Sequence, residues 1–206
     1  MATDMKGNTR QKMVVGAADL LRRRGLNATS VREVVKHTET PRGSIRHHFP
    51  QGKRQLVEEA LLFAGRSASK MLSKHISQVG AVSGLAAFID DWRRIVEDSD
   101  FDAGCPILAV STEQYLGEDG YPNREVQDIL LKHATAAFAD WQSILKEGLQ
   151  SEGVEEHKAT RVATLIVSAI EGTVALCRAA RSLQPLKDVE VELSLLLTDT
   201  IESAKR

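Results

Sequence analysis

Ser30-Val31-Arg32-Glu33, followed after a short polar interval by Pro41-Arg42-Gly43-Ser44-Ile45-Arg46-His47-His48-Phe49, is the stretch on which the fold turns. Ser30 reads as a helix N-cap with Glu33 three residues on, the spacing of a reciprocal capping box. Val31, Val34 and Val35 supply one buried face. His37-Thr38-Glu39-Thr40 then reads as a turn, and Pro41 sits near the first position of a second helix, where a missing N–H costs least. Ile45 and Phe49 are four apart and point inward together, which leaves Arg42, Gly43, Ser44, Arg46 and His47 on the outward face. A short capped helix, a tight turn and a second helix with a basic outer face is the layout of a helix-turn-helix, whose second helix enters a DNA major groove.

Upstream, Thr9 to Arg24 predicts a first helix with Met13, Ala17, Leu20 and Leu21 on one face, stopped where Gly25 supplies a left-handed terminus. Downstream, Pro50-Gln51-Gly52 ends the small domain, and a longer helix runs from Lys53 into the seventies. Helices are expected near Val82 to Glu97, Pro106 to Tyr115, Arg124 to Gln150, Glu156 to Ser182 and Lys187 to Ala204, with Gly117 to Pro122 as a surface loop. Strand-like alternation is nearly absent. The expected fold is all-α: an N-terminal three-helix helix-turn-helix domain over residues 1–52 and a larger helical bundle over 53–206. Apolar stripes in the last two helices suit core packing and equally a four-helix interface between two subunits.

Net charge is -1, but it is unevenly placed. Residues 1–54 hold twelve Lys or Arg against four acids, a net +8, and the remainder holds fifteen against twenty-four, a net -9. A basic head on an acidic body is the footprint of a molecule that meets a polyanion at one end only. Two cysteines, Cys105 and Cys177, are too few for a disulfide framework or a zinc ribbon. Met1 to Lys6 lacks the apolar core of a signal peptide, and no run of about eighteen uncharged apolar residues occurs. The expected location is the cytoplasm, without a membrane partner.

Enzyme and metal chemistry find no support in the spacing, and no cofactor is expected. His47 and His48 project about 100° apart on a helix and cannot share one metal without distortion. Gln51-Gly52-Lys53 lacks the glycine spacing of a phosphate-binding loop. Cys105 has no local partner for nucleophilic catalysis. It does precede Pro106 at a helix N-terminus, where a thiolate is stabilised, so a redox-sensing repressor is one alternative. A second is a helical ligand-binding or interaction module whose basic head meets an acidic protein.

Residues 10–62 resemble the DNA-binding domain of the TetR family of transcriptional regulators. The resemblance rests on Ala28-Thr29-Ser30-Val31, on Arg42-Gly43-Ser44-Ile45-Arg46-His47-His48-Phe49 and on Gly52-Lys53-Arg54-Gln55-Leu56, in that order and spacing. Gly104-Cys105-Pro106-Ile107-Leu108-Ala109-Val110-Ser111-Thr112-Glu113 is similar to a segment of the LmrA/YxaF-like subgroup. Two positions depart from the family pattern: Glu39 stands where the turn glycine is usual, and Arg46 where a tyrosine is usual.

The resemblance implies a homodimeric repressor of an efflux or detoxification gene, released from a palindromic operator on double-stranded DNA by a small lipophilic effector. Arg42, Ser44 and His47 are then the groove-facing candidates, with Gly43 allowing close approach. Thr29, Arg46, His48 and Lys53 are the phosphate candidates. His48 reads equally well as a packed, hydrogen-bonded histidine beneath the domain. The effector site is expected among central helices of the body, from Phe63, Trp92, Phe101, Tyr115, Phe138 and Trp141, with Cys105, His133 and Glu171 and also Glu113 and Gln114 as polar anchors.

Overall fold

The computed structural model describes residues 2–41, 43–117 and 119–206, with side chains from Thr9 onward. Among these residues there are eight helices: α1 (Ala2–Ala28), α2 (Val31–Thr38), α3 (Ser44–His48), α4 (Lys53–Asp98), α5 (Pro106–Thr112), α6 (Arg124–Ser151), α7 (Glu156–Ala180) and α8 (Gln184–Ala204). Among the described residues the one piece of β pairing is an isolated bridge between Leu116 and Pro122. Packing divides the chain into two compact units, residues 1–65 with 105–135, and residues 66–104 with 136–206. Thus α4 and α6 each begin in the first unit and end in the second.

Two glycines interrupt long helices. Gly25 in α1 has φ 81° and ψ -178°, and Gly80 in α4 has φ 81° and ψ 176°. Residues other than glycine hardly ever reach that region. The regular part of α1 therefore ends where the sequence places its end, and α4 holds both helices expected between Lys53 and Glu97. Helix α5 stops three residues short of the expected Tyr115, because Glu113 adopts an extended conformation, φ -101° and ψ 145°. At the other end of the chain, Arg181 in a left-handed conformation closes α7, and Pro185 lets α8 begin earlier than expected.

In the first unit, α1 buries Met13, Ala17, Leu20 and Leu21 and packs on α2 and α5. Gly16 makes the α1–α2 approach possible: a Cβ there would overlap the Cγ2 of Thr38. Val34, Val35, Ile45, Phe49, Leu56, Ile107 and Val110 are among the other side chains buried in this core. The second unit buries Leu85, Ile89, Trp92, Trp141, Ile166 and Leu197, with α7 packed on α8. Among the described residues α7 is the one helix long and apolar enough to cross a membrane, and half of that apolar stretch is buried within the protein.

The turn of the helix-turn-helix closes on Glu39, which has φ 52° and ψ 37°. The N–H of Thr40 donates to Val35 O at 3.2 Å, and the Thr38 hydroxyl donates to Val34 O at 2.8 Å, so Val34 and Val35 are capped around a left-handed non-glycine residue. That conformation costs an L-residue about 1–2 kcal/mol, part of which glycine's extra unfolded-state freedom takes back. Glu39→Gly is accordingly expected to gain up to about 1 kcal/mol and to melt roughly 2–4 °C higher by circular dichroism. A lower melting temperature would mean that the Glu39 side chain itself holds the turn.

Candidate nucleic-acid interface

Ser30 caps α2 as expected, its Oγ accepting from the N–H of Glu33 at 3.2 Å. The reciprocal half of the box is not formed. Glu33 instead accepts from Arg24 Nη1 at 3.2 Å, an ion pair outcompeting a neutral amide for the carboxylate. Helix α3 comes after the turn with Ile45 and Phe49 buried and Arg46 and His47 exposed. The Arg10 guanidinium lies over the Phe49 ring at 5.2 Å and pairs with Glu59 at 2.6 Å, bracing the inner side of the head. Gly43 is exposed with open space where a Cβ would sit.

Part of the head's positive charge is paired internally. Asp19 receives Arg22 at 2.6 Å, Arg23 at 3.0 Å and His37 at 2.9 Å. Its burial works to raise the carboxyl pKa, but hydrogen bonds and charges from Arg22 and then Arg23 outweigh that and hold it below its ordinary value. Exposed cations without such a partner among the described residues remain on α2 and α3: Arg32 and Lys36, four apart on one face, and Arg46. Sequence reasoning passed over Arg32 and Lys36, although their spacing on the polar side of α2 was there to be read. The effect is to focus uncompensated charge around the helix that carries Arg46 and His47.

The expected contact residues divide. Arg42 lies outside the described residues. Ser44 is half-buried and its hydroxyl donates to Pro41 O at 2.6 Å, with its lone pairs left to accept. His48 is half-buried between His47 and Phe49, its ring centroid 5.1 Å and 6.5 Å from theirs. Thr29 is 1% exposed and its hydroxyl donates to Gly25 O at 2.8 Å, so its side chain serves the corner between α1 and α2 instead of a phosphate. Lys53 is corrected in the same way: buried, it donates from Nζ to Leu116 O at 3.2 Å and lies 4.8 Å from the Tyr115 ring centre. A cation satisfied by a carbonyl and an aromatic face has no reach left for a duplex.

The expected effector residues are spread over both units. Phe63, Cys105, Tyr115 and His133 belong to the first. There His133 pairs with Glu58 at 2.9 Å, and Cys105 is buried at the start of α5. Trp92, Phe101, Phe138, Trp141 and Glu171 belong to the second, where Phe138 and Trp141 meet edge to face at 5.4 Å and Glu171 is buried in α7. Phe101 carries the Arg181 guanidinium 5.7 Å from its ring centre. Metal chemistry has no cluster of three His, Cys, Asp or Glu to draw on among the described residues.

Residues 14–60 match the N-terminal domain of the tetR family of bacterial regulatory proteins, and residues 81–192 match the C-terminal domain of LmrA/YxaF-like transcriptional regulators. The chain belongs to the TetR family of transcriptional regulators. It is 36% identical over 197 residues to the HTH-type transcriptional regulator Rv0196 of Mycobacterium tuberculosis, covering 95% of this chain and 98% of that one. It is 25% identical over 181 residues to the HTH-type regulator LmrA of Bacillus subtilis, covering 87% and 92%. A TetR regulator crystal structure from Legionella pneumophila superposes with a TM-score of 0.77 at 19% identity, over 90% of this chain and 95% of that one. In this TetR regulator, α2 and α3 are the helix-turn-helix pair of a DNA-binding protein.

Proposed function

We propose that this regulator is a homodimeric repressor of an efflux or detoxification gene, acting in the cytoplasm, which reads a palindromic operator with one α3 from each copy. The observation that carries the reading is the exposure of Arg46 and His47 on α3, beside Arg32 and Lys36 on α2, while Ile45 and Phe49 are held in the core. In this reading residues 1–52 meet the DNA and residues 53–206 carry effector binding and dimerisation. Arg42, Gly43, Ser44 and His47 face the groove. Arg46 and His48 hold phosphates, joined by Arg32 and Lys36.

Dimerisation is supported by the outer faces of α7 and α8. Leu165, Leu176, Val191 and Leu195 are each more than half exposed, and Gly172 on the same side of α7 meets open space. Full burial of one such side chain is worth about 1.5–3 kcal/mol. A helix apolar on both faces is one that buries both faces. The membrane-like hydropathy of α7 then has a plain cause, an inner face in its own unit and an outer face against a second copy. For the effector, the buried Trp92 and Trp141 with Phe138 beside Trp141 favour a lipophilic molecule. Release results if that molecule prefers the form unable to span both half-sites.

Fluorescence titration of DNA from upstream of the regulator's own gene tests this. A palindromic fragment is expected to bind well above scrambled DNA, and the Arg42→Ala, Ser44→Ala double variant to lose that preference. Leu176→Glu is expected to sediment as a monomer and to lose the operator. A Leu176→Glu dimer of wild-type affinity contradicts the proposed interface.

A further inference from the structure

The corner between α1 and α2 is bonded to a segment almost ninety residues away in the chain. Glu113, the first residue after α5, accepts from Leu26 N–H with Oε1 at 3.1 Å and Oε2 at 3.0 Å, and from Asn27 N–H at 3.3 Å. Asn27 answers from the other side. Its Nδ2 donates to Gln114 O at 2.7 Å and its Oδ1 accepts from Leu116 N–H at 3.0 Å. Gln127 on α6 fixes the same segment, donating from Nε2 to Glu113 O at 3.2 Å and accepting from the N–H of Tyr115. All of these residues lie in the first unit.

Gly25 shows that the fit is built for a carboxylate. Its positive φ turns the backbone so that the amides after it face Glu113, and a Cβ on residue 25 would overlap Oε1 and lie 2.9 Å from Cδ. The second unit repeats the device at Gly80, where Glu152 Oε1 accepts from Ala81 N–H at 2.8 Å. In both places a distant glutamate satisfies the first amide after a glycine break, as a capping side chain does at a helix start. The two corners differ in where the chain goes next. After Gly80 it continues as α4, whereas six residues after Gly25 it enters α2, the first helix of the DNA-reading pair.

We propose that Glu113 is a positioning residue for operator recognition: from the end of α5 it sets the direction in which α2, and with it α3, leaves α1. The proposal rests on the operator reading given above. It makes the segment 113–116 the point at which α5 and α6 act on the DNA head, since Gln127 holds that segment to the first turn of α6. Charge alone predicts the opposite effect. Removing a carboxylate from a DNA-binding protein strengthens its attraction to all DNA, so weaker operator binding in a charge-removing variant is a sign that only positioning produces.

The test compares operator and scrambled-DNA affinities of the full chain with thermal melts, for wild type, Glu113→Ala, Glu113→Gln, Asn27→Ala and Glu152→Ala. Glu113→Ala and Asn27→Ala are expected to lose operator affinity by about twofold to thirtyfold, the range for substitutions that couple sites without touching the ligand. Scrambled-DNA affinity stays level or rises. Glu113→Gln keeps one acceptor oxygen and falls between wild type and Glu113→Ala. Glu152→Ala, with the matching lesion in the second unit, lowers the melting temperature but leaves operator affinity unchanged. Glu113→Ala binding the operator as tightly as wild type overturns the proposal, as does an equal loss in Glu152→Ala. If Glu113→Ala does not fold, Glu113→Gln and Asn27→Ala decide by the same criteria. A wild type with no preference for any palindromic fragment refutes the repressor reading and this proposal together, whereas an intact wild-type preference with unchanged variants refutes positioning only.

Discussion

Gly25→Ala is expected to melt about 8 °C or more below wild type, a loss of at least about 4 kcal/mol at 2–4 °C per kcal/mol for a chain of this size. Two costs meet at this residue. The backbone at φ 81° and ψ -178° costs about 1–3 kcal/mol for a residue with a Cβ. The new methyl also expels the Glu113 carboxylate from the amides of Leu26 and Asn27, and hydrogen bonds to a charged group are each worth about 1.5–3 kcal/mol. Gly80→Ala is the matched comparison, because it has nearly the same backbone angles. A Cβ there would stand 3.3 Å from Glu152 Oε1, close enough to nudge the side chain without evicting it. Its loss should therefore be limited to the backbone term, about 1–3 kcal/mol. Calorimetric melts that place the two variants together would show that the Glu113 contact adds nothing to the corner.

Arg46→Ala is expected to produce the largest change in DNA binding among single substitutions in the described head. Arg46 is exposed on α3 and stands where the family usually has tyrosine. A phosphate contact by Arg46 adds one released counterion, so the variant's log affinity against log salt should be shallower by about 1, with a similar loss on operator and on unrelated DNA. A bidentate contact to guanine behaves differently, costing about 1–3 kcal/mol on the operator alone, with the salt slope unchanged. We expect the shallower slope. Parallel salt titrations of wild type and variant would falsify the phosphate role, and a loss confined to the operator would move Arg46 to the base edges.

What could be read from the sequence was what neighbouring residues decide. The cap at Ser30, the proline before α3 and the inward pair Ile45 and Phe49 all stem from spacings of three or four residues or from backbone sterics. Misreadings came where a distant partner decides the outcome. Lys53 at a helix start beside the recognition helix looks like a phosphate ligand until Tyr115 and Leu116 are brought against it. Thr29 looks like an exposed linker hydroxyl until the Gly25 carbonyl turns towards it. Helix α5 has the periodicity to reach Tyr115, yet it ends at Thr112 because the Glu113 carboxylate is held by amides from the other end of the unit. Helical periodicity carries no record of such partners, so a first unit built from two separated stretches could not be read from it.

That separation also sets an order of events during synthesis. The first unit needs residues 105–135 to supply Ile107 and Val110 to its core and Glu113 to its corner, and these emerge after Gly65 only once the intervening stretch has been made. At ribosomal rates of about 5–20 residues per second, roughly 4–14 s separate residue 65 from residue 135. Throughout that interval α1, α2 and α3 lack the packing of α5 and the Glu113 contact at their corner. On the proposed role of Glu113, full operator recognition arrives late in translation.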